Sequence, residues 1–222
     1  AGVLLVLLKI LSLPVNESIW GLLIVLFIAM VIVSQFMLTF GSDPNAKITK
    51  KSKSPLSFHP IALIFGLLSF VSYLVEGAVG DWSALYLFED KGIVIEEAVM
   101  GVMLFNGTMC IGRLLGNRLG KHLTSKQVVV GGYLLGSIAM GLIVFLPGHA
   151  SMYTYLLLGI SLAMIVPNLF SAMGEQNVIP MTQAVATSTM LGYMGILMGP
   201  ALIGFIAHGT SLTVAFIVLT TL

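Results

Sequence analysis

The sequence contains few charged residues. Of its 222 residues, 9% are Asp, Glu, Lys or Arg, whereas a soluble domain carries roughly 25%. So few charges cannot cover a water-exposed surface, so the composition excludes an ordinary soluble domain. The formal net charge is only +1, and binding of nucleic acid requires a clustered basic face. We therefore expect no nucleic-acid partner.

Residues that support catalysis or bind metal are also scarce. The single cysteine, Cys110, excludes a disulfide within the chain and a cysteine metal cluster. The histidines His59, His122, His149 and His208 all fall at the ends of predicted helices. No HxxxH, HExxH or GxSxG motif occurs, and no glycine-rich loop follows a strand. We expect no catalytic residue, no metal and no cofactor, and hence not an enzyme.

Long apolar stretches are abundant instead. Apolar residues make up 58% of the chain, and the mean hydropathy is +1.06. A helix of about 20 apolar residues crosses about 30 Å of hydrocarbon. Six stretches meet this requirement: residues 19–40, 61–80, 98–115, 128–146, 152–173 and 184–207. Residues 1–13 and 212–222 are shorter, and we expect them to be the ends of two further crossings that are cut off. The runs lack the strict alternation of a membrane β-barrel, so the sequence predicts an all-α polytopic membrane helical bundle.

The basic residues predict the orientation of these helices. Eight of the ten lie on one side, in the break at residues 41–59 and around the break that follows residue 115, whereas Lys91 lies on the other. Lysine and arginine accumulate in cytoplasmic loops. We therefore expect residues 41–59 to be a cytoplasmic linker between residues 1–40, which end one bundle, and residues 60–222, which form a second.

Glu76 and Arg113 are conspicuous because each interrupts an otherwise apolar stretch. Glu76 recurs at helical spacing with Ser69, Ser72 and Tyr73, a polar stripe typical of a cavity lining. Counted from residue 61, Glu76 falls in the outer third of its crossing. Two interpretations are open: Glu76 binds a solute or a proton, or it is a buried structural carboxylate bonded to a neighbouring helix.

Other crossings carry polar residues at helical spacing too. One stripe consists of Asn106, Cys110, Arg113 and Asn117, and another of Asn168, Ser171 and Glu175, which follow Pro167. Asn106 either binds a solute or bridges to another helix. Trp82 is either a membrane-interface residue or a stacking platform for a sugar ring. The candidate solute-binding or coupling residues are Tyr73, Glu76, Asn106, Asn168 and Tyr193.

Three segments carry a family resemblance. Residues 76–87 (EGAVGDWSALYL) resemble the seventh-helix signature of a bacterial branch of the major facilitator superfamily, often labelled fucose-permease-like. Residues 112–121 (GRLLGNRLGK) resemble that superfamily's basic loop motif between its eighth and ninth helices. Residues 192–204 (GYMGILMGPALIG) are similar to its eleventh helix. On this resemblance residues 1–13 and 19–40 correspond to the fifth and sixth helices.

The resemblance implies a secondary active transporter in the cytoplasmic (inner) membrane of a bacterium. Such a protein is expected to be a monomer that moves a small polar solute, such as a sugar or related metabolite, by proton-coupled alternating access. Arg113, Asn117 and Arg118 would form a conformational latch, although Asn117 stands where the family motif usually has aspartate. Alternatively, these basic residues only anchor the loop on the cytoplasmic side. Alternative functions are an efflux antiporter of the same superfamily, a channel, or a membrane-embedded enzyme.

Overall fold

The structure is a computed structural model that describes residue 24 and residues 27–28, 30–35, 59–119 and 123–222, with the backbone alone at residues 117–119. The chain divides into two compact units, Ala1–Lys53 and Ser54–Leu222. In the first unit, residues 30–35 are helical and exposed, within the predicted crossing at residues 19–40. The predicted segment at residues 1–13 and the break at residues 41–58 lie outside the described residues.

The described part of the second unit is built from helices. They are α1 (Pro60–Glu89), α2 (Ile95–Leu119), α3 (Ser125–Phe145), α4 (Gly148–Ala163), α5 (Ile165–Glu175), α6 (Met181–Gly209) and α7 (Leu212–Thr221). Among the described residues, five elements are long and apolar enough to cross a membrane, counting α4 and α5 together, and α7 is shorter. This confirms the predicted all-α polytopic membrane bundle.

Helix α1 is longer than the apolar stretch that predicted it. His59 caps its first turn, because the ring Nδ1 accepts a hydrogen bond from the Ile61 N–H at 3.3 Å, and Pro60 occupies the first turn. The helix then continues to Glu89, nine residues beyond the predicted end at residue 80. Glu76 therefore lies near the middle of α1 and not in the outer third of that helix, because the helix is longer than the stretch on which the position was measured.

The predicted crossing at residues 152–173 is interrupted at Met164, which separates α4 from α5. Pro167 lies in the first turn of α5, where it has no N–H to donate and its ring excludes the carbonyl four residues earlier. Asn168 bonds across this interruption: its backbone N–H and its side-chain Nδ2 both donate to the Met164 carbonyl, at 3.3 and 2.8 Å.

Helices α1 and α6 make the most extensive helix contact in the described structure. Three glycines of α6 allow the close approach: a Cβ at Gly192 would overlap the Tyr73 ring, one at Gly195 the Phe70 carbonyl, and one at Gly199 the Leu74 carbonyl. The buried hydroxyls of Ser69 and Ser188 also join the two helices at 2.6 Å. The glycines of residues 192–204 thus pack helices together.

Lys91 connects the loop between α1 and α2 to the end of α3. Its Nζ donates to the carbonyls of Val144 and Leu146 at 2.6 and 2.9 Å, and it lies 5.3 Å from the centre of the Tyr86 ring. A cation at this end of a helix is stabilised by the helix dipole and by carbonyls that lack an N–H partner. Burial lowers the pKa of Lys91 below its ordinary value, and neighbouring Asp90 opposes this shift.

Candidate functional site

The two charges that interrupt the apolar stretches form an ion pair between α1 and α2. Arg113 Nη2 lies 3.3 Å from Glu76 Oε2 and 3.4 Å from Oε1. Charged groups within a membrane usually pair with each other or face water, because an isolated one costs about 2.5–3.5 kcal/mol. The pair is not enclosed: 21% of the Glu76 side chain and 45% of the Arg113 side chain are exposed.

Two tyrosines extend this ion pair toward α6. The rings of Tyr73 on α1 and Tyr193 on α6 are stacked, with centres 6.4 Å apart and planes inclined by 11°. Tyr73 precedes Glu76 by one helical turn and interacts electrostatically with Glu76, Arg113 and Tyr193. We call these four residues the polar face.

The polar face gathers residues that the sequence had placed in three different groups. It offers guanidinium donors, a carboxylate acceptor, two hydroxyls and two aromatic rings on one partly exposed side of the bundle. Within the described ranges, no three His, Cys, Asp or Glu side chains come together to hold a metal ion. The arrangement can therefore bind through hydrogen bonds, charge and ring stacking.

The polar stripe predicted on α1 is split between two environments. Tyr73 and Glu76 are half-buried, but Ser69 and Ser72 are only 2% and 1% exposed. Ser69 bonds to α6, and Ser72 lines a small cavity among α1, α3, α4 and α7 together with Tyr133. Assigning these two serines to the lining of the site is therefore wrong: their direction from the helix axis turns them into the packed interior.

The two predicted asparagines do not contact the polar face. Asn106 is exposed, and its Nδ2 donates to the carbonyl of Val102 on the same helix at 2.9 Å. Asn168 is half-buried and bonds to Met164 at the break between α4 and α5. Asn106 shares its exposed side of α2 with Cys110 and Arg113, which agrees with the predicted stripe.

Trp82 makes a helix contact that the sequence did not predict. Its indole Nε1 donates to the carbonyl of Pro200 in α6 at 3.0 Å, and its ring lies against Gly204. Pro200 removes one backbone donor from the interior of α6, so the helix is weakened where Trp82 is bound to it. Trp82 therefore joins α1 to the proline-containing segment of α6.

Sequence reasoning identified both charges but did not pair them. Glu76 and Arg113 have opposite signs and lie on consecutive helices, but the sequence placed Glu76 in the outer third of its crossing and Arg113 near the cytoplasmic break, so a contact between them was not expected. Arg113 had instead been grouped with Asn117 and Arg118 as a latch. The side chains of those two residues lie outside the described part, so the latch stays a prediction for them.

Three curated proteins similar to this chain are named as transporters or membrane proteins. The chain is 42% identical over 157 residues to an uncharacterised MFS-type transporter of Yersinia pestis, which covers 69% of this chain and 40% of the relative. It is 31% identical over 151 residues to membrane protein MosC of Rhizobium meliloti. That alignment covers 68% of this chain and 37% of the relative. It is 28% identical over 159 residues to an uncharacterised transporter, y4wD, of Sinorhizobium fredii. That alignment covers 70% of this chain and 41% of the relative.

The chain spans about two fifths of the length of these curated relatives, from 37% to 41%. No protein-family model matches the chain, and no solved structure matches it. The chain, an all-α membrane bundle, is thus similar to two uncharacterised proteins named as transporters and to one named as a membrane protein. Together they support a relationship between this chain and membrane transporters of the MFS type.

Proposed function

We propose that this chain is part of a secondary active transporter of the major facilitator superfamily, from the fucose-permease-like branch. It would move a small polar solute, such as a sugar or related metabolite, across the cytoplasmic membrane of a bacterium by alternating access. The similarity to an MFS-type transporter supports the superfamily. The motif at residues 76–87 supports the branch.

The observation that carries this proposal is the ion pair on the partly exposed polar face. Hydrocarbon would leave the open sides of Glu76 and Arg113 unsolvated, which is costly. Water and a polar solute would satisfy them. We therefore assign the polar face to the wall of a central cavity, and the exposed Tyr193 ring would provide a flat surface for the apolar side of a solute.

Glu76 is our candidate for the coupling carboxylate. Protonation of Glu76 would remove the charge that holds Arg113, so the ion pair would open when the proton binds and re-form when it leaves. An equilibrium between two such states can be shifted by any ligand that prefers one of them. A proton gradient could thereby drive the solute, with Arg113 responding directly.

The proposal is tested by measuring transport with Glu76→Gln in the natural full-length protein reconstituted in vesicles. If Glu76 carries the coupling proton, the variant loses accumulation against a gradient but keeps exchange of solute for solute. If Glu76 binds the solute, both activities fall together. Asp81→Asn is the matched control, because Asp81 is an exposed carboxylate five residues further along the same helix.

Two results would contradict the proposal. Normal accumulation by Glu76→Gln with reduced thermal stability would assign Glu76 to a structural ion pair. Equal losses of accumulation in Glu76→Gln and Asp81→Asn would show that the effect is not specific to Glu76.

The direction of transport is a separate question. Comparing the rates of uptake and efflux in the same vesicles distinguishes a permease from an antiporter that exports its substrate.

We also propose the topology that follows from the basic residues. Residues 41–59 would lie on the cytoplasmic face and join residues 1–40 to the bundle at residues 60–222. Asn117 and Arg118 would contribute to a latch at the cytoplasmic end of α2. Arg113, which is paired with Glu76, belongs to the polar face in this proposal and not to the latch.

A further inference from the structure

The donors of Arg113 are only partly used. Both contacts to Glu76 come from a single nitrogen, Nη2, at 3.3 and 3.4 Å. These distances exceed the 2.7–2.9 Å of a strong charge-assisted hydrogen bond. A guanidinium has five N–H donors, and within the part of the chain that the structure describes Nη1 and Nε have no partner. The ion pair is therefore loose and leaves donors available.

The exposed surface of the ion pair also favours a ligand that binds Arg113. The Arg113 side chain is 45% exposed and that of Glu76 is 21% exposed, so an incoming solute has more access to the arginine side chain than to the glutamate side chain. Both carboxylate oxygens already accept from Arg113. The polar face thus has an excess of accessible donors, and a ligand rich in acceptors matches it best.

We propose that the transported solute carries a carboxylate, which binds the free donors of Arg113. This rests on the proposed transport function and names the substrate class of the same site. A planar carboxylate fits the guanidinium fork in a way that a hydroxyl does not. The solute is a monoanion, because the nearby Glu76 carboxylate repels additional negative charge. The rest of the solute would lie against Tyr193, which is 63% exposed.

The test measures ligand-induced thermal stabilisation of the natural full-length protein. The probes are glucuronate, galacturonate and lactate, each compared with an uncharged counterpart: glucose, galactose and lactamide. We expect at least one carboxylate to stabilise the protein while its neutral counterpart does not. Arg113→Gln should weaken binding of that carboxylate more than tenfold, and Arg113→Lys should weaken it less because the charge remains.

The variant Glu76→Gln provides a readout that a purely structural role would not produce. It removes the carboxylate that competes for Arg113, so affinity for the acid probe should rise several-fold, opposite in direction to Arg113→Gln. Equal binding of neutral and acidic probes, carboxylate binding that survives Arg113→Gln, or no binding of any carboxylate would each overturn the assignment. If the protein nevertheless transports a neutral probe in a Glu76-dependent manner, the proposed function stands while this inference fails.

Discussion

The close packing of α1 on α6 makes a prediction for Gly195→Ala. The new Cβ would overlap the backbone carbonyl of Phe70, which cannot turn aside as a flexible side chain could. Overpacking of this kind costs about 1–3 kcal/mol. Replacing glycine by alanine inside a helix returns about 0.5–1 kcal/mol. We therefore expect a net loss of about 1 kcal/mol, and at most about 2.5 kcal/mol, in the free energy of unfolding.

Gly107→Ala is the matched control, because Gly107 lies in the interior of α2 and no atom would lie within 4 Å of its Cβ. At this position only the higher helix propensity of alanine contributes, so we expect the free energy of unfolding to rise by about 0.5–1 kcal/mol. Unfolding in mixed micelles, followed by helical circular dichroism, should place the two variants on opposite sides of the unsubstituted protein. Equal stability of the two variants would refute the close approach of α1 and α6.

Two other predictions test the environment and the orientation of the helices. Cys110 is exposed one turn from Arg113, so a membrane-impermeant thiosulfonate should label it in the natural full-length protein. The variant Cys110→Ser should remove that labelling. Modification by apolar maleimides alone would place this side of α2 against lipid. The topology is tested with cysteines introduced at Ser52 and at Val94, which is an exposed loop residue. A reagent added from outside should modify only the cysteine at position 94. The reverse pattern would contradict the assigned orientation.

The sequence was sufficient to predict the helices because their signal is local. A run of about 20 apolar residues has few structures open to it in lipid, so each described crossing agrees with a predicted stretch. The ends were less accurate, as in α1, whose final turns carry Asp81 and Glu89 and are therefore less apolar than the predicted stretch at residues 61–80. Hydropathy reports burial in lipid, whereas a helix continues as long as its backbone hydrogen bonds do.

The candidate site was only partly predictable because it depends on direction around each helix. Spacing along α1 placed Ser72, Tyr73 and Glu76 in one stripe, although Ser72 turns into the interior and the other two are half-buried. The stacking of Tyr73 on Tyr193 joins residues 120 positions apart. Periodicity within one helix gives no information on such a partner, since it depends on which helices pack together.

The ion pair connects two tightly packed pairs of helices. Glu76 belongs to α1, which packs most extensively on α6, whereas Arg113 belongs to α2, which packs most extensively on α4. The second pair is also close, because a Cβ at Gly159 of α4 would overlap the Phe105 carbonyl and the Thr108 hydroxyl of α2. A close-packed interface resists gradual deformation, but two side chains at 3.3 Å separate with a small rotation. A ligand that binds Arg113 in place of Glu76 would therefore change a contact between the two helix pairs and leave the packing within each pair intact.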